Sequence, residues 1–228
     1  MASFILIAVL ALALVGAVAY ITYAVAKKRR EAFATMARQL GLSYAAKDPF
    51  NVIAEPFALF EKGDGRGAEN MLWGTWQSLE LRAFDYWYYE ESTDSHGRTS
   101  RNYYRFDCAI VPIDAACVRL TITHETLFTR LADALTFHDI EFESEAFNKA
   151  YNVKSADKKF ANDLIDARMM SWLLAHGDGY SFEVVGEEVL CYCKKIQPAA
   201  FLPLLGTAKA FLDTVPKVVT SLYPRSSG

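Results

Sequence analysis

Two aspartates stand inside the most aromatic part of the sequence, where a carboxylate could do unusual chemistry. Asp85 lies in the run LELRAFDYWYY (79–89) and Asp107 in NYYRFDCAIVPI (102–113), two segments predicted to be strands. Burial raises the pKa of a carboxyl group, so either residue could act as an acid. Each could equally accept hydrogen bonds from Arg82 or Arg105 and serve only the structure. The sequence leaves both interpretations open.

A second group of carboxylates alternates along the segment DIEFESE. Asp139, Glu141, Glu143 and Glu145 would share one face of a strand, with apolar side chains on the other face. Such a row could hold a divalent cation or bind a basic partner. It could also be the solvated side of an edge strand, where charge prevents aggregation. We take the first three acids as candidate partner contacts.

The potential metal ligands are few and dispersed. Cys191 and Cys193 would lie on one face of a strand, but the spacing is typical of small buried residues, and no C-x-x-C motif or histidine pair at helical spacing accompanies them. Gly63-x-Gly65-x-x-Ala68 nominally matches a dinucleotide-binding fingerprint, yet a strand follows it where that motif needs a helix. We therefore predict a glycine turn, and neither a metal, a cofactor nor a catalytic residue.

An aromatic cluster is the most distinctive feature of the predicted hairpin 84–104. Consecutive aromatic residues on a strand face both sides of the sheet, so they either pack across strands or form an exposed platform for a partner. The polar segment 90–101 between the two strands is suited to recognition. We take Tyr88, Tyr103 and His96 as candidate contacts. The cluster comprises Tyr86, Trp87, Tyr88, Tyr89, Tyr103 and Tyr104.

The N-terminal segment predicts a membrane helix. Residues 4–26 are uncharged and apolar, and 23 helical residues span about 30 Å of hydrocarbon. Lys27, Lys28, Arg29 and Arg30 follow at once, so the positive-inside rule places the N-terminus outside and the remainder in the cytoplasm. The predicted partners are the lipid bilayer, through 4–26, and anionic headgroups, through the four basic residues.

A cleaved signal peptide is the competing interpretation, because Ala24-Val25-Ala26 resembles a cleavage site. Three features oppose it: there is no basic residue before the apolar run, the run is too long, and the basic cluster lies on the wrong side. The four cysteines and the lack of glycosylation sequons are compatible with a reducing cytoplasm.

Net charge restricts the choice of partner. Beyond the basic cluster, 20 basic and 27 acidic residues give a net charge of −7. An anionic domain is repelled by an anionic leaflet except near its basic collar. Nucleic acid is an unfavourable ligand for the same reason.

Hydrophobic patterns predict strands and helices in a mixed order. Strands are expected at 42–44, 70–77, 79–89, 102–113, 118–124, 139–143 and 150–155, and a hairpin at 180–186 and 189–195. Helices are expected at 28–40, 125–135 and 156–176, the last broken near Asp166, and from about 198 onward with an interruption at Pro216.

Five motifs resemble a large group of uncharacterised bacterial proteins, many of them actinobacterial. They are F-A-L-F-x-x-G-x-x-R (57–66), N-M-L-W-G-T-W (70–76), A-F-D-Y-W-Y (83–88), D-I-E-F-E-S-E-A-F-N (139–148) and R-M-M-x-x-L (168–173). The resemblance implies one N-terminal membrane helix and a cytosolic domain, and it assigns no catalytic or binding residue.

These patterns together predict an α+β protein with a mainly antiparallel sheet and packed helices. The expected divisions are an anchor and collar at 1–30, a cytosolic domain at 31–222 and a flexible tail at 223–228. Because nothing forces titratable groups together, a membrane-tethered binding or scaffolding module is favoured. The alternative is a membrane-associated enzyme that uses the buried acids of the central sheet.

Overall fold

The computed structural model describes residues 2–95, 97–124 and 139–225, and its centre is an antiparallel sheet of six strands. These are β1 (Ser43–Lys47), β2 (Gly65–Trp76), β3 (Leu79–Thr93), β4 (Thr99–His124), β5 (Tyr151–Ser155) and β6 (Tyr180–Lys194). β1 to β4 pair in sequence order. β6 pairs with one edge of β4, and β5 pairs with the last residues of β4 on the edge that β3 leaves uncovered. The predicted α+β class is confirmed.

Four predicted strands are joined in pairs into two longer strands, and a fifth is absent. The segments 102–113 and 118–124 form one long strand, β4, and 180–186 and 189–195 likewise form one strand, β6. Gly186 has a positive φ of 58° opposite Cys117, where the pairing register shifts. That glycine therefore accommodates a bulge instead of a hairpin turn. The segment 139–143 is not a strand, and only Asp139 forms an isolated bridge, to Lys154.

The helices predicted within the described residues are present, and a short helix at Glu145–Ala150, which the sequence patterns did not predict, is added to them. They are α1 (Ala2–Leu40), α2 (Glu145–Ala150), α3 (Lys158–Leu164), α4 (Ala167–His176), α5 (Phe201–Thr214) and α6 (Lys217–Leu222). Asp166 caps the N-terminus of α4 by accepting a hydrogen bond from the Met169 amide, which explains the predicted break. The predicted helix at 125–135 lies outside the described residues. Tyr223 and Arg225, in the predicted tail, hydrogen-bond to the domain.

The sheet has a core on each face. The helix-side face packs against α1 and the C-terminal helices, around residues such as Phe33, Phe201 and Phe211. The opposite face is covered by the segment 48–61, which contributes Val52 and Phe60 among others. Side chains alternate along a strand, so β3 contributes Leu81 and Ala83 to the first core and Phe84, Tyr86 and Tyr88 to the second.

Helix α1 joins the candidate membrane span to the domain without a break. Its N-terminal part is long and apolar enough to cross a membrane, and the side chains described there are exposed. From Phe33 onward one face of the same helix packs on the domain: Phe33 and Ala37 are buried, and Phe33 meets Phe201 of the C-terminal part of the chain with ring centroids 4.7 Å apart. The candidate membrane span and the part of α1 that packs on the domain therefore belong to one continuous helix.

Candidate functional site

The residue that fixes α1 to the sheet is Arg29, one turn before Phe33. Its Nε and Nη2 atoms each donate to a carboxylate oxygen of Asp85, both at 2.7 Å, and Nη2 also donates to Asp107 at 2.8 Å. Its Nη1 donates to the carbonyl of Ile196 at 2.7 Å. Such a forked, charge-assisted arrangement fixes both distance and orientation. We call Arg29, Asp85 and Asp107 the Arg29 clamp.

Further donors complete the clamp. Asn70 and Lys195 both donate to Asp85, at 2.9 Å and 3.2 Å. Burial opposes ionisation of Asp85, but the hydrogen bond from Arg29 and the charges of Lys195 and Arg29 outweigh it and lower its pKa. Burial and the neighbouring charge of Asp85 raise the pKa of Asp107 to about 7. Asp85 therefore loses its proton more readily than Asp107 does.

The clamp corrects two expectations. The partner of the buried aspartates is Arg29, not Arg82 or Arg105, because α1 lies across the sheet at this level. Arg29 is therefore turned into the protein and cannot bind lipid headgroups. Lys27, Lys28 and Arg30 remain exposed.

The buried acids are poorly placed for catalysis. The side chains of Asp85 and Asp107 are 2% and 0% exposed, and their oxygens already accept the hydrogen bonds of the clamp. A general acid or base must come within hydrogen-bond distance of a substrate. The geometry thus gives the enzyme alternative no support at these two residues.

Beyond the clamp, β3 and β4 continue beside the first residues of β2 as far as Tyr89, and then as a two-stranded arm that ends at Thr93 and Thr99. On its helix-side face Trp87, Tyr89 and Tyr103 form a surface that we call the aromatic ledge. The Trp87 and Tyr89 rings stack at 6.3 Å with an angle of 12°, and Tyr103 lies 5.4 Å from Tyr89. Tyr103 is 50% exposed. This part of the predicted platform lies at the surface.

Two glycines of β2 make room for the Trp87 and Tyr89 rings of the ledge. A Cβ at Gly67 would stand 2.8 Å from the Trp87 ring, and one at Gly65 would meet the Tyr89 ring at 2.5 Å. The predicted glycine turn at 63–67 is thus confined to its first residues, and Gly65 already belongs to β2. The glycines remove side chains from a strand so that large rings can lie on it.

The opposite face of the arm is packed. Tyr88 is fully buried and stacks on Tyr104 with ring centroids 4.8 Å apart, and Tyr86 is buried beneath Phe60. Tyr88 is therefore not a surface contact, because alternation turns it into the second core. Of the predicted aromatic contacts Tyr103 is exposed, whereas His96 lies outside the described residues.

A second arginine with two carboxylates lies on this opposite face, at the end of the sheet away from the arm. Arg82 pairs with Glu55 and Glu188, and we call these three residues the Arg82 triad. It borders a cleft of about 320 Å³ that Phe50 and Trp73 also line. Burial raises the pKa of Glu55 to about 7, against the opposing effect of Arg82. Sequence reasoning missed this cleft because its residues are distant in the chain.

The acidic row is exposed but does not gather into a cation site. Asp139, Glu141 and Glu143 are solvent-exposed on an irregular segment, and Asp139 has a neighbouring cation, Lys154 at 3.7 Å. Among the described residues no group of three or more histidine, cysteine or acidic side chains is placed to hold a metal ion. These three acids are accessible at the surface, and their contact with a partner stays a prediction.

Buried polar groups elsewhere serve the fold. The four cysteines are free and buried, and burial raises the pKa of Cys193 to about 12, so they behave as small apolar residues. Glu183, which sequence reasoning missed, accepts hydrogen bonds from the amides of Ala58 and Leu59. Burial raises its pKa to about 7. It binds the segment 48–61 to the sheet.

The fold and the clamp define a class: an antiparallel α+β domain joined rigidly to an apolar N-terminal helix. No family model and no curated protein matches the sequence. Among solved structures the chain is similar to the mycobacterial trehalose monomycolate transport factor A, TtfA, with a TM-score of 0.57 over 89% of this chain and 98% of that one. The identity of 13% means that the likeness shows the fold alone. The mycobacterial source agrees with the actinobacterial resemblance of the sequence.

Proposed function

We propose that the protein is a membrane-tethered binding module that serves a membrane transport process as a non-enzymatic accessory. The observation that supports this most directly is the Arg29 clamp. It fixes the domain to a candidate membrane span and uses the two buried aspartates as structural partners. The similarity in fold to a transport factor supports the same role.

The cleft beside the Arg82 triad is the binding site we propose. Phe50, 44% exposed, and Trp73 form an aromatic wall with ring centroids 5.3 Å apart. Glu80 and Glu188 add carboxylates, so the lining is richer in acids than in cations. A segment of a membrane protein that carries a basic and an apolar side chain fits this chemistry, and the net charge of −7 beyond the basic cluster draws such a partner to the domain.

Tethering is what makes a weak contact at this cleft sufficient. A partner embedded in the same membrane meets the domain at a high effective concentration. The acids Asp139, Glu141 and Glu143 would extend the electrostatic attraction outside the cleft. In this proposal the N-terminus is outside and the domain cytoplasmic, with Lys27, Lys28 and Arg30 at the anionic headgroups.

Site-specific photocrosslinking of the full chain in its native membrane tests the binding site. A crosslinking residue at Phe50 should yield an adduct with a membrane protein through a peptide that contains lysine or arginine. The same residue at Leu202, which is 43% exposed on α5, is the matched control and should not. The adduct should disappear when Glu188→Gln is added. Identical adducts at both positions, or none at Phe50, would contradict the proposal.

The orientation is tested separately. A reporter that is active only outside the membrane, fused after Gly228, should be silent, and the same reporter fused before Met1 should be active. The reverse result would place the domain on the outer side and exclude cytoplasmic partners.

A further inference from the structure

Helix α1 and the hairpin arm leave the domain in the same direction. Leu42, just after the end of α1, lies against Gly74, which pairs with Leu81 of β3. Arg29, near the other end of the packed part of α1, meets Asp85 further along β3. The N-terminal direction of α1 therefore corresponds to the direction of the arm's tip.

The arm extends further beyond the clamp than the distance from the clamp to the apolar part of α1. The apolar run ends at Ala26, three residues before Arg29, which is a rise of about 4.5 Å along the helix. From Asp85 to Thr93 the arm extends by eight residues, or about 26 Å. Its end is polar, with Ser92 and Thr93 facing Ser100 and Thr99, and would not enter hydrocarbon. If α1 crosses a bilayer, the arm must lean away from α1 and turn its helix-side face toward the membrane surface.

The chemistry of that face suits a lipid interface. It carries the aromatic ledge, Trp87, Tyr89 and Tyr103, and the guanidinium groups of Arg101 and Arg105 lie 4.6 Å and 5.5 Å from the Tyr89 and Tyr103 ring centroids. Tryptophan and tyrosine are enriched where a protein meets the headgroup layer. Arginine adds an attraction to anionic lipids.

The other face of the arm has a different character. It presents Glu90, Asn102 and the edge of Tyr104, whose hydroxyl donates to Glu90 at 3.1 Å. Glu91, on the helix-side face, is paired with Arg101 at 2.8 Å, which leaves that face with a net positive charge. The more positive, helix-side face of the arm is suited to a bilayer surface, and the face that carries Glu90 and Asn102 is suited to water.

We propose that the aromatic ledge, with Arg101 and Arg105, lies in the headgroup layer of the bilayer from which α1 emerges. The arm is then a second membrane contact, which sets the tilt of the domain, while the acidic remainder of the domain stays away from the surface. The contact does not depend on the partner proposed for the cleft, which lies on the opposite face at the other end of the sheet.

Quenching of Trp87 fluorescence by brominated lipid tests this directly. The full chain is placed in nanodiscs that hold one copy each, with Trp73, Trp76 and Trp172 changed to Phe. We expect bromine near the headgroup end of the acyl chain to quench Trp87 several-fold more than in a matched chain that keeps only Trp73, the residue of the cleft. One copy per disc excludes a second copy as the covering surface.

A pair of neighbouring substitutions gives the matched control. Tyr103→Asp places a charge on the ledge and should abolish most of the Trp87 quenching. Asn102→Asp adds the same charge at the next residue, on the opposite face, and should leave it unchanged; circular dichroism confirms that both variants are folded. If Trp87 is quenched no more than Trp73, the proposal is wrong. Trp87 shielded from iodide yet insensitive to brominated lipid would identify protein as the cover and also overturn it.

Discussion

The two faces of β3 each hold one arginine between two carboxylates, and their surroundings make them different. The side chains of the Arg29 clamp are 11%, 2% and 0% exposed, whereas those of the Arg82 triad are 22%, 20% and 35% exposed. The clamp has additional donors from an asparagine, a lysine and a backbone amide. In the triad, Glu55 keeps a buried oxygen, Oε2, for which the described residues supply no hydrogen-bond partner.

This difference shows that the number of available donors decides what an ion cluster can do. A buried carboxylate whose two oxygens both accept hydrogen bonds from fixed donors is held in one arrangement and so acts as a structural lock. A carboxylate that keeps an unused acceptor oxygen, such as Oε2 of Glu55, can take up a proton there. The clamp therefore suits a structural contact between α1 and the sheet, and the triad suits the binding site that we propose.

The largest effect is expected from removal of the arginine of the clamp. Arg29→Met leaves Asp85 and Asp107 buried beside each other without their main cation, which should lower the free energy of unfolding by about 3–5 kcal/mol. Urea unfolding of the full chain in detergent micelles, followed by tryptophan fluorescence, measures it. Lys28→Met, the exposed neighbour, should change it by less than about 0.5 kcal/mol. Equal effects of the two substitutions would show that the clamp is not a structural lock.

Removal of the arginine of the triad should cost less. Arg82→Met leaves two carboxylates that water can reach and that can take up a proton, so the expected loss in the free energy of unfolding is about 1 kcal/mol. The same unfolding experiment applies, with the exposed Arg38→Met as the control for loss of one positive charge. A loss as large as that of Arg29→Met would mean that the two clusters are equivalent, and the distinction drawn between them would fail.

The sequence predicts the elements that hold Arg29, Arg82 and the two aspartates, but not those that hold Glu55 and Glu188, nor any pairing between these charges. The apolar run, the alternating aromatic strands and the helix break at Asp166 depend on local periodicity and caps, and the structure has each of them. Arg29 lies 56 and 78 residues from its two partners, so no local pattern could reveal the pairing. Its place in a basic cluster after an apolar run indicates a lipid contact instead.

Register explains the other errors. Tyr88 and Tyr103 look alike in the sequence, yet one is fully buried and the other is half exposed, because alternation turns them to opposite faces. Only the pairing of β2 with β3 shows that the glycines at 65 and 67 lie under Trp87 and Tyr89. Similarly, Glu187-Glu188 suggests a turn, but β6 continues through it because β4 pairs with both halves.

The smallest expected effect concerns the pH dependence of the triad. Burial raises the pKa of Glu55 from its ordinary value to about 7, so the folded state binds this proton more tightly than the unfolded state does. Its contribution to stability is complete at pH values below the unfolded pKa and is lost as the pH rises through about 7. Glu55→Gln removes this contribution. Between pH 5 and pH 8 the free energy of unfolding of the variant should therefore fall by about 1 kcal/mol less than that of the parent, allowing for solvent screening.

Most of the pH dependence should survive that substitution, because two further carboxyls have their pKa values raised to about 7. These are Asp107 in the clamp and Glu183 beneath the segment 48–61. Unfolding curves at pH 5, 6, 7 and 8 measure the slope, and Glu141→Gln, an exposed acid outside the cleft, controls for the change in net charge. A slope that is unchanged in Glu55→Gln would mean that Glu55 is ionised at pH 5 in the folded protein. The carboxylate would then already have a donor, and the contrast between a saturated clamp and an unsaturated triad would disappear.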